Sequence, residues 1–96
     1  MTNLLKETTE ALAEHNLTFE DVEYIVLGDT RLPIDTFKQG ANHLYDNGYG
    51  ATVIPMNLYI VGDEWWLERE EYDGAEWWEY KEKPKCPKEV AKEFVW

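Results

Sequence analysis

Carboxylates are the side chains of this sequence that offer the most chemistry. The chain of 96 residues carries 20 Asp and Glu residues against nine Lys and Arg residues. Two carboxylates can hydrolyse a glycoside when a fold holds them on either side of the sugar bond. The densest group comprises Glu68, Glu70, Glu71 and Glu79. A hydrolase is therefore an open alternative, but because a chain this acidic brings pairs together by chance, we expect no enzymatic activity.

Nucleophiles and metal ligands are scarce in the rest of the chain. It contains no serine, two histidines (His15 and His43) and one cysteine, Cys86. A single cysteine forms neither an internal disulfide nor a cysteine metal cluster. His15 ends a helical stripe, where we expect it to interact with the helix dipole. DNGYGATVIPMN begins like a calcium loop, but its twelfth residue is Asn57, so we predict neither a metal nor another cofactor.

The net charge of −11 is concentrated in two segments. Residues 1–30 carry −6 and residues 63–82 carry −7, whereas residues 31–62 are neutral and residues 83–96 carry +2. Nucleic acid and anionic lipid both require a basic surface, so we expect the chain to bind neither directly. A basic partner protein is favoured instead. The alternative is that the acidity only keeps a small protein soluble.

The length and the hydropathy pattern indicate one compact domain over residues 1–96. Apolar residues make up 44% of the chain and aromatic residues 15%, as in folded proteins. No apolar run is long enough to span a bilayer. The first residues, MTNLLKETTEALAEH, lack the apolar segment of a signal peptide. We therefore expect a cytoplasmic protein.

The first half of the chain predicts a helix and a β-hairpin. Apolar residues recur at helical spacing over about 3–15. β-branched and aromatic residues over 24–27 predict a strand, and the Gly-Asp-Thr at 28–30 predicts a turn into a short return strand over 31–34. Because Pro33 has no backbone N–H, the return strand is expected at a sheet edge.

A second helix is predicted before the glycine-rich segment DNGYG at 46–50, which is expected to end it. Asp35 is expected to cap its start. Gly40 is expected to allow close packing against the sheet. The apolar face of this helix comprises Phe37, Ala41, Leu44 and Tyr45.

The last part of the chain predicts a three-stranded antiparallel meander and a short C-terminal helix. Gly62-Asp63 and Asp73-Gly74 suit two-residue hairpin turns, which give strands over 57–61, 64–71 and 76–82. The final segment, KEVAKEFVW, predicts a short helix that packs back through Val90, Phe94 and Val95. The predicted fold class is thus α+β, with the strand order left open.

The two turns decide which side chains share a face of the meander. The later turn places Glu70 opposite Trp77, and the earlier turn places Ile60 opposite Trp65. The inner face is then mainly apolar and comprises Leu58, Ile60, Trp65, Leu67, Trp78 and Tyr80. The outer face comprises Tyr59, Val61, Glu64, Trp66, Glu68, Glu70, Tyr72, Trp77, Glu79 and Lys81.

Aromatic side chains among charges on a solvent-facing surface are typical of binding hot spots. We therefore predict a partner-binding site formed by Tyr59, Glu64, Trp66, Glu68, Glu70, Tyr72, Trp77 and Glu79. Carboxylates at alternate positions lie about 6.7 Å apart and could replace phosphates in a basic nucleic-acid-binding groove. Two alternatives stay open. A helix could cover the outward tryptophans, or the chain could be a structural or assembly module that forms a homodimer through this face.

Three segments resemble small uncharacterised acidic proteins of phages and prophages of Gram-positive bacteria. The segments are GDTRLPIDTF, DNGYGATVI and WWLEREEYDGAEWWEYKEKP, and the similarity is strongest over 64–83. The resemblance brings no catalytic residue and no cofactor, but it implies a phage origin and a host-cell cytoplasm. Small acidic phage proteins often inhibit host defence or nucleic-acid enzymes. Taken together with the predicted binding site, this tendency of the class leads us to expect a non-enzymatic accessory protein, with an anti-CRISPR-type inhibitor as the specific hypothesis.

Overall fold

A computed structural model describes residues 1–48 and 50–96. The described residues form an α+β structure, as the sequence predicts. The two helices are α1 (Leu4–Ala13) and α2 (Ile34–Ala41), and one 3-10 turn lies at Phe19–Asp21. The strands are β1 (Thr2–Asn3), β2 (Val22–Leu27), β3 (Thr30–Leu32), β4 (Leu44–Tyr45), β5 (Leu58–Gly62), β6 (Trp65–Tyr72) and β7 (Ala75–Glu82).

The main sheet has five antiparallel strands in the order β3-β2-β5-β6-β7. The predicted meander forms its β5–β7 part, and the predicted hairpin β2–β3 joins it because β2 pairs with β5. Ile25 lies opposite Ile60 at this junction, and both side chains are fully buried. The short strand β3 forms one edge, as predicted, but it ends at Leu32, and Pro33 follows it as the N-cap residue of α2. Strands β1 and β4 form a separate two-stranded sheet.

Both helices pack on one face of the main sheet, here called the inner face. The core joins Leu12 of α1 and Phe37 of α2 to Ile25, Ile60 and Leu67 of the sheet. The predicted inner-face residues are confirmed: Leu58, Ile60, Trp65, Leu67 and Trp78 are buried, and Tyr80 is half-buried. No helix of the described residues is long and apolar enough to cross a bilayer.

Local caps define the first helical elements. Asn3 caps α1, since its side chain accepts a hydrogen bond from the backbone N–H of Lys6 at 3.0 Å. Thr18 and Asp21 form a capping box around the 3-10 turn. Trp78 then ties α1 to the sheet, because its indole Nε1 donates to the buried hydroxyl of Thr8 at 2.9 Å.

The second helix is shorter than the sequence predicts. Pro33 is its N-cap residue and makes no side-chain cap, so the prediction that Asp35 caps the helix is wrong. The helix ends at Ala41, because Leu44–Tyr45 form β4 and pair with β1. The expected glycine cap at 46–50 is therefore also wrong, and residue 49 of that segment lies outside the described residues.

The β6–β7 hairpin has the predicted register. Glu70 lies opposite Trp77, and Leu67 lies opposite Tyr80. Asp73 has a φ of 52° and the following glycine a φ of 88°, as a type I′ turn requires. The turn residues thus fix which side of this hairpin faces the core.

The β5–β6 turn differs from the prediction by one residue. Ile60 lies opposite Leu67 and not opposite Trp65, so the loop residues are Asp63 and Glu64. Gly62 stays in the strand because the Trp65 indole lies against it, and a Cβ there would lie 2.1 Å from the ring. The pairing of β5 with β6 is therefore shifted by two residues relative to the prediction. Because side chains alternate between the two faces with a period of two, each one still lies on its predicted face.

The predicted C-terminal helix is wrong. Residues 83–96 form neither helix nor strand, and Val90, Phe94 and Val95 are exposed instead of packed on the core. An isolated helix of nine residues is too short to be stable in water without a packing surface. Proline at positions 84 and 87 keeps the preceding residues extended, which separates this segment from the sheet.

Candidate partner-binding face

The outer face of the five-stranded sheet carries the predicted site. Neither of the two described helices lies on it, so the alternative of a covering helix is wrong for the described residues. The pairing aligns side chains in rows across the strands. One row consists of Tyr24, Val61, Trp66 and Lys81. The next row consists of Arg31, Val26, Tyr59, Glu68 and Glu79.

One end of this face is a shallow aromatic depression of about 450 Å³. It is lined by Tyr24, Val26, Gly28, Tyr59, Val61 and Trp66. Tyr24 and Tyr59 are each more than a third exposed. Sequence reasoning missed Tyr24 and Val26, because their place on the face depends on β2 lying next to β5. Because Tyr24 and Val26 flank the buried Ile25 in the strand, alternation indicates that they point to the opposite face, but it does not indicate which strand lies beside them.

Each outward tryptophan is held by the glutamate two residues further along its strand. The indole Nε1 of Trp66 donates to Glu68 at 2.7 Å, and that of Trp77 donates to Glu79 at 2.9 Å. Glu68 and Glu79 are direct cross-strand partners. The outer face therefore presents two oriented indoles with a pair of carboxylates between them.

A second aromatic group lies beyond these carboxylates. Trp77 is exposed beside Glu70 on the neighbouring strand, and Tyr72 is exposed near the end of the hairpin. Trp77 is four residues along β7 from the partner of Trp66, a separation of roughly 13 Å. The acids thus divide the aromatic surface into two parts.

Glu64 is the one predicted site residue that lies off the sheet. It is in the β5–β6 turn with a positive φ of 65°. Its backbone carbonyl accepts a hydrogen bond from the N–H of Lys83 at 2.8 Å, and its carboxylate lies 3.9 Å from the Lys83 ammonium. The other seven predicted residues lie on strands, with side chains on the outer face.

A buried ionic network on the inner face was not predicted. The guanidinium of Arg69 contacts the carboxylate of Glu7 at 3.2 Å, the carboxylate of Glu76 at 3.0 Å and the hydroxyl of Tyr45 at 3.0 Å. The Arg69 side chain is fully buried and lies over the Trp78 ring at 4.8 Å. Strand alternation could have revealed Arg69, since it follows Leu67 by two residues and must share its face.

This network fixes a loop on the sheet. The Glu76 carboxylate also accepts hydrogen bonds from the backbone N–H groups of Val53 at 2.6 Å and Ile54 at 3.0 Å. Burial raises the pKa of Tyr45 to about 12, and its hydrogen bond to Glu7 adds to the shift, while Arg69 opposes it. The charges pair with one another inside the core, which indicates a structural role.

The histidines and the cysteine lie apart from this face. His15 follows the end of α1 and stacks on Tyr80, with ring centroids 3.6 Å apart. His43 and Cys86 are exposed. Over residues 1–48 and 50–96, no group of three or more His, Cys, Asp and Glu side chains is placed to hold a metal ion.

Comparisons of the chain with protein-family models, with curated proteins and with solved structures found no match. No relative therefore supplies a function for the outer face.

Proposed function

We propose that this chain is a non-enzymatic accessory protein that binds a basic surface of another protein through its outer face. One observation carries the proposal. The outer face is free of both described helices and combines an aromatic depression with a cross-strand pair of carboxylates, Glu68 and Glu79. Aromatic anchors beside charged groups are the usual composition of interface hot spots.

The hydrogen bonds of the indoles favour their burial by a partner. A buried N–H without an acceptor costs free energy. Because Trp66 and Trp77 already donate to glutamates, a partner can cover both rings without leaving their N–H groups unpaired. The carboxylates retain further lone pairs, which suit Arg and Lys side chains of the partner.

The expected partner is a nucleic-acid-acting or defence protein of a bacterial host. Such proteins have basic grooves for phosphates, and the alternating carboxylates of β6 and β7 have the charge to occupy one. The resemblance to phage proteins supports this class of target, with an anti-CRISPR-type inhibitor acting in the host cytoplasm as the specific form. A charged face of this kind also accelerates encounter with a basic partner.

A pull-down from host lysate tests this function. The baits are the wild-type protein, the variant Trp66→Ala/Trp77→Ala and the control Leu44→Ala, which removes an exposed apolar side chain on β4. We expect wild type and Leu44→Ala to retain the same basic nucleic-acid-binding protein at low salt and release it at high salt. The double variant should retain none, provided that circular dichroism shows it folded. Identical proteins on all three baits would contradict the proposal.

The second candidate function is a structural or assembly module that forms a homodimer through the same face. The observation that favours it is the aromatic depression, since apolar side chains left in water promote self-association. Sedimentation at several protein concentrations separates the two functions. A species that stays monomeric at every concentration excludes the homodimer and leaves the partner-binding function standing.

A further inference from the structure

The C-terminal segment, residues 83–96, is here called the tail, and it exposes an unusual amount of apolar surface. The exposed fraction of its apolar side chains is 88% for Val90, 86% for Phe94, 78% for Val95 and 99% for Trp96. Four large apolar side chains in water at one chain end add nothing to the core. Apolar surface concentrated in this way typically marks a binding segment.

The tail extends away from the sheet that precedes it. Lys83 and Cys86 each precede a proline, which restricts them to extended conformations. The radius of gyration is 16.1 Å and the longest axis of the molecule is 52 Å. A compact chain of this length would have a radius of about 12.5 Å. The apolar end of the tail therefore lies outside the core and is exposed to solvent, where another molecule can bind it.

The charge of the tail complements the rest of the chain. The tail has four Lys and two Glu residues, a net charge of +2, whereas residues 1–82 have 18 acids and five bases, a net charge of −13. Lys92 lies two residues before Phe94 and four before Trp96, so the tail carries a cation close in sequence to two aromatic rings.

We propose that the tail of one copy docks in the aromatic depression of a second copy. Phe94 and Trp96 enter the depression beside Tyr59 and Trp66, and the Lys92 ammonium reaches the carboxylate of Glu68, which lies opposite Tyr59 on the neighbouring strand. In the proposed exchange each copy gives its tail to the other and receives one in return, which closes the assembly as a two-fold dimer. The dimer occupies the same face as the proposed partner, so partner binding and dimer formation compete.

Two full-length variants test this docking by sedimentation equilibrium. The tail variant is Phe94→Ser/Trp96→Ser, and the face variant is Tyr59→Lys, which places a cation in the depression. Both change exposed residues, so the fold should persist. We expect wild type to dimerise and each variant alone to show a dissociation constant raised by about tenfold or more. An equimolar mixture should recover part of the association, because the mixed dimer keeps one of the two tail contacts.

The control is Tyr72→Lys, an exposed aromatic residue outside the depression, which should dimerise like wild type. Any one of three results would overturn the docking. Wild type could stay monomeric at all concentrations, the tail variant could dimerise as well as wild type, or the mixture of the two variants could show no association. Failure of the tail docking can be distinguished from failure of the partner-binding function. A tail variant that still retains a basic partner from lysate supports the partner-binding function whatever the sedimentation result.

Discussion

Glu68 and Glu79 lie directly opposite each other on β6 and β7, and each accepts a hydrogen bond from an outward indole. Like charges at a direct cross-strand position destabilise a sheet by about 0.2–1 kcal/mol. The sequence therefore places a small electrostatic cost in the centre of the outer face. A basic partner would remove this cost, which agrees with a binding role for the pair.

Neutralising one member of this pair is expected to leave the fold intact. In Glu79→Gln the amide oxygen can still accept from Trp77, while the repulsion from Glu68 is lost. The free energy of unfolding should stay the same or rise by up to about 0.5 kcal/mol in urea titrations. Glu10→Gln, an exposed change on α1, is the control. A loss of more than about 1 kcal/mol in Glu79→Gln alone would mean that the charge itself stabilises the hairpin.

Removing the buried guanidinium of Arg69 should lower the free energy of unfolding far more than Glu79→Gln does. Arg69→Met leaves Glu7 and Glu76 close together without their shared cation. Loss of one partner from a buried ion pair typically costs about 3–5 kcal/mol. Urea unfolding followed by circular dichroism measures the loss. Lys81→Met removes an exposed cation from the same sheet and should change stability by less than about 0.5 kcal/mol. Equal effects of the two substitutions would show that the network is not structural.

Substitution of two glycines by alanine should change the stability of the protein in opposite directions. A Cβ on Gly62 would lie 2.1 Å from the Trp65 indole, so Gly62→Ala must displace this buried ring and should cost about 1–3 kcal/mol. A Cβ on Gly40 meets no atom within 4 Å, so the predicted close packing there is wrong. Because Gly40 lies in α2, Gly40→Ala should stabilise the protein by about 0.5–1 kcal/mol. Thermal unfolding of the two variants in parallel provides the measurement.

Stability should fall at high pH through Tyr45. Its pKa is raised from 10.0 to about 12 in the folded protein, first by burial and then by the hydrogen bond to Glu7. Between these values the unfolded chain has lost the proton that the folded chain keeps. The stabilisation is therefore complete below pH 10 and is lost as the pH rises to about 12.

Two conservative variants isolate this pH dependence. Tyr45→Phe should reduce the slope of unfolding free energy between pH 10 and 12, and Tyr80, whose pKa burial also raises, accounts for part of the slope that remains. Tyr72→Phe changes an exposed tyrosine and should leave the slope unchanged. Equal slopes in wild type and Tyr45→Phe would show that other groups cause the alkaline loss of stability.

Local chemistry explains which parts of the fold could be predicted from the sequence. Asp73-Gly74 suits a type I′ turn through backbone conformation alone, so the β6–β7 register and its two faces followed from the sequence. The prediction placed Gly62 in the β5–β6 turn, which is wrong, because this glycine lies in the strand and leaves room for the indole of Trp65. The even shift of register preserved the faces, and seven of the eight predicted site residues accordingly lie on the outer face.

Long-range contacts explain what the sequence could not predict. Tyr24 joins the site only because β2 pairs with β5, and no local pattern specifies that neighbour. Tyr45 lies in β4 and not in a helix because β1 pairs with it and Arg69 binds its hydroxyl. Strand alternation places Arg69 on the inner face, but its partners Glu7 and Tyr45 come from distant parts of the chain, so the network itself could not be predicted.

The most direct test of the outer face compares two variants with the same net charge. Glu68→Gln/Glu79→Gln removes two charges from the face, and Glu10→Gln/Glu14→Gln removes two exposed charges from α1 and the residue after it. Calorimetric titration of each with the basic protein recovered from host lysate, over a range of salt concentrations, measures affinity and its salt dependence. We expect the face variant to bind about tenfold or more weakly and with a smaller salt dependence, and the α1 variant to bind like wild type. Equal affinities of the two variants would contradict the assignment of the binding site to this face.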